Sequence, residues 1–327
     1  MMNFILNNKF LLEILKYWKQ TNMLSKILAA TSVIYTAQSN MQVLEINDKI
    51  TEINGTLPVI PSVLPEEIGL DIITKDDELK KRDPDFNKTF LEIVAENGFI
   101  FEQHPVTTED GYILNVFRIR STETKEGAPV VFFQHGVVDS ADCWIMNYPE
   151  VAPAFKAVRA GYDVWLGNQR GTKYSMNHKT LSNKSKEYWS FSFTEMGKYD
   201  APAQIELALR MTGNKKVTYV GHSQGTTQMF YALQAEPEYW GQKVNLFVAA
   251  APVTRLDHTT NPLIKLFAQI QGTLRNTLYF FKVYSLLGDA VTSAGVHLVC
   301  GTIPSLCQFL EGFAITHDPS LDDEDRF

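Results

Sequence analysis

Cysteine is scarce in this chain: three in 327 residues, at Cys143, Cys300 and Cys307. That excludes a disulfide scaffold and allows at most one bridge with one thiol left over. Positive charge is also in short supply. Lys and Arg number 30 against 37 Asp and Glu, for a formal net charge of -7, and no long basic run interrupts the sequence, so nothing favours a nucleic-acid surface. A long apolar stretch is missing too. The apolar residues of the first 22 positions are broken by Lys9, Glu13, Lys16 and Lys19, which makes a poor membrane-spanning helix.

What is present is ordinary globular material, 45% hydrophobic and 20% charged, in a chain long enough for a sizeable core and an added subdomain. The front end reads as an address. Met23 to Lys26 is a short basic start, Ile27 to Tyr35 is mostly apolar, and Ala37-Gln38-Ser39 supplies small residues at a cleavage-like site. With translation from Met23 this is a secretory signal peptide; the rival reading is a membrane anchor formed by the whole front end. Residues 1–39 are therefore set apart as an N-terminal extension and signal peptide. Three sequons, at Asn54, Asn87 and Asn183, fit a glycosylated, secreted or lysosomal product. Residues 40–85, with Pro58, Pro61 and Pro65 and a heavily charged end, read as a linker.

From residue 86 the pattern changes. Glu102–Thr107 and Tyr112–Arg118 alternate like two strands around the turn Glu109-Asp110-Gly111. Pro129–Gln134, Tyr162–Leu166, Val217–Val220 and Val244–Ala251 are short apolar runs, as in strands buried on both faces. Helical patterns lie between them: Val151–Ala160, a segment beginning near Asp200-Ala201-Pro202 with Asp200 as N-cap and ending at Gly213, and Thr226–Ala235. Strands alternating with helices predict an α/β fold, a mostly parallel sheet with flanking helices.

The chemistry gathers at Gly221-His222-Ser223-Gln224-Gly225, between the strand ending at Val220 and the helix at Thr226. A Gly-x-Ser-x-Gly turn from strand to helix is a nucleophile elbow: the serine sits on a strained turn, and the glycines let strand and helix pass close by. Ser223 is the predicted nucleophile. The backbone N–H groups of Val137 and Gln224 are the predicted oxyanion donors, with His135-Gly136 forming the root of the loop after the strand Pro129–Gln134. His135 is read as a structural residue holding that loop. His222, a neighbour across the turn, points away from the serine's work. Asp200 is read as a helix cap rather than a catalytic acid. This chemistry needs no metal and no cofactor.

Seven stretches then carry a resemblance: Val106–Leu114, Phe133–Gly136, Gly161–Gly171, Tyr188–Phe193, Glu195–Pro202, Gly221–Thr226 and Ala249–Val253. In this order and wording they resemble the acid lipase family, the group of the lysosomal and gastric lipases. The resemblance spans about residues 86–253, with Val137-Val138 standing where leucines are usual. It implies an α/β-hydrolase core at 86–253 and a partial cap or lid at 254–327, whose apolar stretch Leu263–Leu287 would cover the site. It implies a serine carboxylic-ester hydrolase acting on a triacylglycerol or cholesteryl ester at a lipid–water interface. It also implies a bridge between Cys300 and Cys307, slightly closer in spacing than the family's, leaving Cys143 free.

In this fold the triad acid and histidine follow the serine after later strands. The chain from Ser223 to Phe327 has room for one strand and part of a cap, and its tail Asp318–Phe327 resembles mid-cap sequence. The triad Asp and His are therefore expected not to be present in this chain, the fold to be C-terminally truncated, and Val244–Ala251 to form a hydrophobic edge. His258, His297 and His317 all lie in the cap-like region, with no strand before them to bring them to Ser223. The alternative reading is a catalytically incomplete family member.

Overall fold

A computed structural model of the chain describes residues 88–260 and 262–280, together with Asp85 and Tyr284. The helix α1 (Phe90–Glu96) opens the described region, started by a capping box in which the Thr89 hydroxyl accepts from the Glu92 N–H while the Glu92 carboxylate accepts from the Thr89 N–H. Strands β1 (Ile100–Thr107) and β2 (Tyr112–Arg120) form the expected antiparallel hairpin. Its turn closes through Gly111, whose φ of 101° suits glycine.

The rest alternates. β3 (Val130–Gln134) is followed by α2 (Pro153–Arg159), then β4 (Asp163–Gly167), a two-residue β5 (Asn177–His178) and a short α3 (Phe193–Glu195). α4 (Ala201–Thr212), β6 (Val217–His222), α5 (Gln224–Ala235), α6 (Pro237–Lys243), β7 (Val244–Ala250) and α7 (Pro262–Phe280) complete the described part. The sheet order is β1-β2-β4-β3-β6-β7, with β5 paired to β2. β4, β3, β6 and β7 are mutually parallel, and β2 joins β4 antiparallel.

Because β3 and β4 are buried at every position, each strand supplies both faces of the core, and alternate side chains sort into two clusters. Val131, Phe133, Val164 and Leu166 pack with Phe90 and Val94 of α1 and Phe155 and Val158 of α2. On the other face Val130, Phe132, Trp165, Val217 and Tyr219 pack with Ile205 and Ala208 of α4, Met229 of α5 and Trp240 of α6. Full burial of one such side chain stabilises by about 1.5–3 kcal/mol, so the two layers lock the register of the central strands. That register places the C-terminal ends of β3, β4 and β6 side by side, with Gln134 opposite both Gly167 and Gly221. Among the described residues β7 ends the order on this side, and its positions Leu246 and Val248 are exposed.

One local expectation fails. Asp200 does not cap α4. The chain is already helical there: residues Met196–Asp200 form a π turn running directly into α4, and Asp200 has helical φ and ψ and makes no side-chain cap bond. Its carboxylate is committed instead to Arg170, thirty positions away in sequence.

Candidate active site

The elbow forms as the spacing demands. β6 ends at His222, α5 begins at Gln224, and Ser223 between them sits at φ 50°, ψ -117°. For a non-glycine residue this is a strained conformation. It is held on several sides: the Ser223 N–H donates to the Ala250 carbonyl at the end of β7, and the Thr226 hydroxyl donates to the Ser223 carbonyl while accepting from the Val253 N–H. Beneath the turn, the buried Tyr219 hydroxyl donates to the Gly225 carbonyl.

Both elbow glycines are required by close approach. A Cβ on Gly225 would lie 2.5 Å from the Gln134 carbonyl oxygen, and one on Gly221 would lie 2.8 Å from the Gly225 carbonyl oxygen. Across the site the fit is tight as well, since a Cβ on Gly136 would stand 3.1 Å from the Ser223 Cβ. The loop after β3 therefore comes down directly on Ser223. Val137, the next residue, is 57% exposed, and Val138 takes a positive φ of 53°. As the first residue of α5, Gln224 has a backbone N–H with no intrahelical acceptor.

His135 lies at the root of this loop and is fully buried. Its Nδ1 meets the Gly136 carbonyl at 2.8 Å, and its Nε2 accepts from the Gln169 N–H at 3.2 Å. This arrangement fits a neutral ring with the proton on Nδ1, and burial pushes its pKa below the ordinary histidine value. A ring so occupied is a spacer and not a base. His222 packs edge-on to Trp144 and makes no hydrogen bond to Ser223. His258 is exposed beside Asp257. Among the described residues the Ser223 hydroxyl has no hydrogen-bond partner, and no group of three or more His, Cys, Asp or Glu could hold a metal ion.

Beside the loop, Gly161–Gly171 supplies residues whose roles the local pattern did not reveal. Arg170 is almost fully buried and ion-paired to both Asp110 and Asp200. Burial raises the Asp200 carboxyl to about 6 against the downward pull of Arg170. At Asp110 burial also pushes upward, but Arg170 and Thr108 outweigh it and hold the group below the usual carboxylate range. Among the described residues Cys143 is a free thiol. Asn183 is exposed, as a sequon requires. Asn54, Asn87, Cys300, Cys307, His297 and His317 lie outside the described residues.

A parallel sheet with helices on both faces, carrying a strained serine at the strand-to-helix turn, defines an α/β hydrolase of the nucleophile-elbow class. Sequence comparison agrees: residues 129–288 match the model described as alpha/beta hydrolase fold, and residues 90–148 match the partial alpha/beta-hydrolase lipase region. The chain is 44% identical over 243 residues to the human (Homo sapiens) lysosomal acid lipase/cholesteryl ester hydrolase, covering 71% of this chain and 60% of that protein. It is 46% identical over 187 residues to lipase member K of Mus musculus and 43% identical over 187 residues to the gastric triacylglycerol lipase of Rattus norvegicus; each match covers 56% of this chain and 47% of the relative. The chain belongs to the acid lipase family. It spans about half the length of the curated relatives it matches.

Proposed function

We propose that this chain carries the nucleophile and oxyanion loop of a serine lipase acting on neutral lipid esters, triacylglycerol or cholesteryl ester. The observation that carries the reading is the strained Ser223 with Gly136 packed against it. Ser223 Oγ attacks the ester carbonyl, and the N–H groups of Val137 and Gln224 hold the developing oxyanion. The alcohol leaves, and water releases the fatty acid from the acyl-serine. The names of the relatives, lysosomal acid lipase and gastric triacylglycerol lipase, support lipid esters as substrate and the secretory pathway as location.

In the same reading α7 is part of a lid. Ile270 and Leu274 are more than a third exposed and Phe280 is 82% exposed, an apolar surface suited to a lipid interface. No helix among the described residues is long and apolar enough to cross a membrane.

The test is hydrolysis of a soluble butyrate ester and of emulsified triolein and cholesteryl oleate by the chain and by Ser223→Ala. Loss of turnover in Ser223→Ala is the expected result, and unchanged turnover overturns the assignment. One observation favours a second reading, a lipid-binding product without catalysis: no base is bonded to Ser223 among the described residues. A serine hydroxyl without a base is a weak nucleophile, although an oxyanion hole alone can sustain about 10³–10⁴ over water. Binding of an emulsified ester with turnover no higher than that of Ser223→Ala supports this second reading.

A further inference from the structure

Resting on the hydrolase reading above, we infer that Arg170 is the positioning residue of the oxyanion loop, acting through its neighbours Asn168 and Gln169.

The loop that comes down on Ser223 is gripped at two places by one segment, the turn after β4. At the near end the Gln169 N–H donates to His135 Nε2 at 3.2 Å, and the Gln169 side-chain amide donates to the His135 carbonyl at 3.1 Å. At the far end the Asn168 side-chain oxygen accepts from the Ala141 N–H at 3.0 Å, while its amide nitrogen donates to the Asn115 carbonyl at 2.9 Å. Residues 135–141 are thus suspended from two consecutive side chains. Asn168, Gln169 and His135 are all essentially inaccessible to solvent, so water offers these groups no substitute partners.

Arg170 fixes the segment that does the gripping. Its backbone N–H donates to Asp200 at 3.1 Å, so two consecutive peptide N–H groups are fixed, that of Gln169 by His135 and that of Arg170 by Asp200. The guanidinium donates from Nε and Nη2 to one Asp200 oxygen at 2.8 and 2.6 Å. It reaches Asp110 with a second pair at 2.6 and 2.9 Å. Its central carbon lies 3.9 Å from the centre of the Tyr112 ring. The two carboxylates belong to different elements: Asp110 to the β1–β2 turn, where His178 also bonds its carbonyl, and Asp200 to the π turn before α4. A planar fork satisfied on two edges leaves the residue almost no freedom, which a lysine could not reproduce.

Stability alone is a poor reason for this arrangement. Burying Arg170 and Asp200 and half-burying Asp110 costs desolvation that an apolar cluster would avoid. What a forked ion triad supplies is direction, and here the direction ends at Gly136, packed on Ser223. Oxyanion donors act only when placed within a few tenths of an ångström of where charge develops.

The test compares the full chain with Arg170→Lys, Gln169→Leu and, as a control in a different buried pair, Arg118→Met. Two readouts are taken: backbone hydrogen exchange in peptides covering 134–142 and 216–222, and kcat and KM on a soluble butyrate ester. The expected result is exchange in 134–142 at least about tenfold faster in Arg170→Lys and Gln169→Leu, unchanged protection of 216–222, and no selective change in Arg118→Met. kcat falls by about 10–100-fold while KM stays within about twofold, as for misplaced oxyanion donors. Equal loss of protection in both peptides, or unchanged exchange in 134–142, overturns the inference and leaves Arg170 a packing element. If Arg170→Lys does not fold, Gln169→Leu, which removes the side-chain bond to the His135 carbonyl without touching the triad, decides between the two outcomes. The exchange result stands whether or not Ser223→Ala abolishes turnover, so failure of the hydrolase reading is seen separately.

Discussion

β3 and β7 are short apolar strands in the parallel part of one sheet, yet β3 is buried at all five positions while every position of β7 is exposed or half-buried. Composition does not separate them. Position does: β3 has strands on both sides and helices on both faces, whereas β7 has one partner among the described residues and leaves Leu246 and Val248 uncovered. Burial is a property of neighbours, so the same residue types store very different amounts of stability in the two strands.

The comparison can be broken by substitution. Phe132→Ala, in the middle of β3 and stacked on Tyr219, should cost about 3–5 kcal/mol in urea unfolding. A cost below about 1 kcal/mol would mean the centre is not the anchor. Charge sharpens it next. Asp200 is buried with its pKa raised above the unfolded value, so the folded state holds that proton more tightly. Its contribution is fully present below about pH 4 and is lost as the pH rises to about 6. The stability difference between wild type and Asp200→Asn should therefore shift against wild type across that window, by an amount on the order of a few kcal/mol. Asp257, in the exposed stretch after β7, is held low by Arg255. Its smaller contribution has the opposite sign and fades as the pH falls. Matching thermal melts from about pH 2 to 7, which cover the Asp257 window below about pH 4 as well as that of Asp200, decide whether the two slopes differ in sign.

At the flank the effects shrink. Phe280→Asp in α7 should change folding by about 1 kcal/mol or less, yet reduce hydrolysis of emulsified triolein more than hydrolysis of a soluble ester. Equal loss on both substrates with a large fall in Tm would make α7 a core helix. Leu246→Ser, at 55% exposure, should cost about 0.5 kcal/mol or less. A cost of about 2 kcal/mol or more would show that the outer face of β7 is covered in solution.

The strands and the elbow are readable because their signals are local: continuous apolar runs, a hairpin turn, and two glycines around a serine. α1 is easily missed although Thr89 and Glu92 spell its capping box. α6 is hidden because only Trp240 of its seven residues is buried, which leaves no apolar period to see. Asp200 shows the harder limit. Asp before Ala-Pro is a sound local signal for a helix cap, and it loses to a buried guanidinium from another loop. The grip of Asn168 and Gln169 on residues 135–141 is likewise out of reach, because each partner lies 27 or more positions away. The resemblance flags Gly161–Gly171 without saying what its side chains do.

Cys143 sits in the short helical turn Ala141–Trp144, just past the loop that follows β3, and packs partly against the first core cluster. Burial, and then the nearby Asp139, push its thiol far above the usual range, so almost none of it is thiolate at neutral pH and alkylating reagents meet an unreactive sulfur. The chain therefore carries its own chemical clock at the edge of the loop that packs on Ser223. The rate at which iodoacetamide marks the Cys143 peptide counts how often that edge opens, with no residue changed.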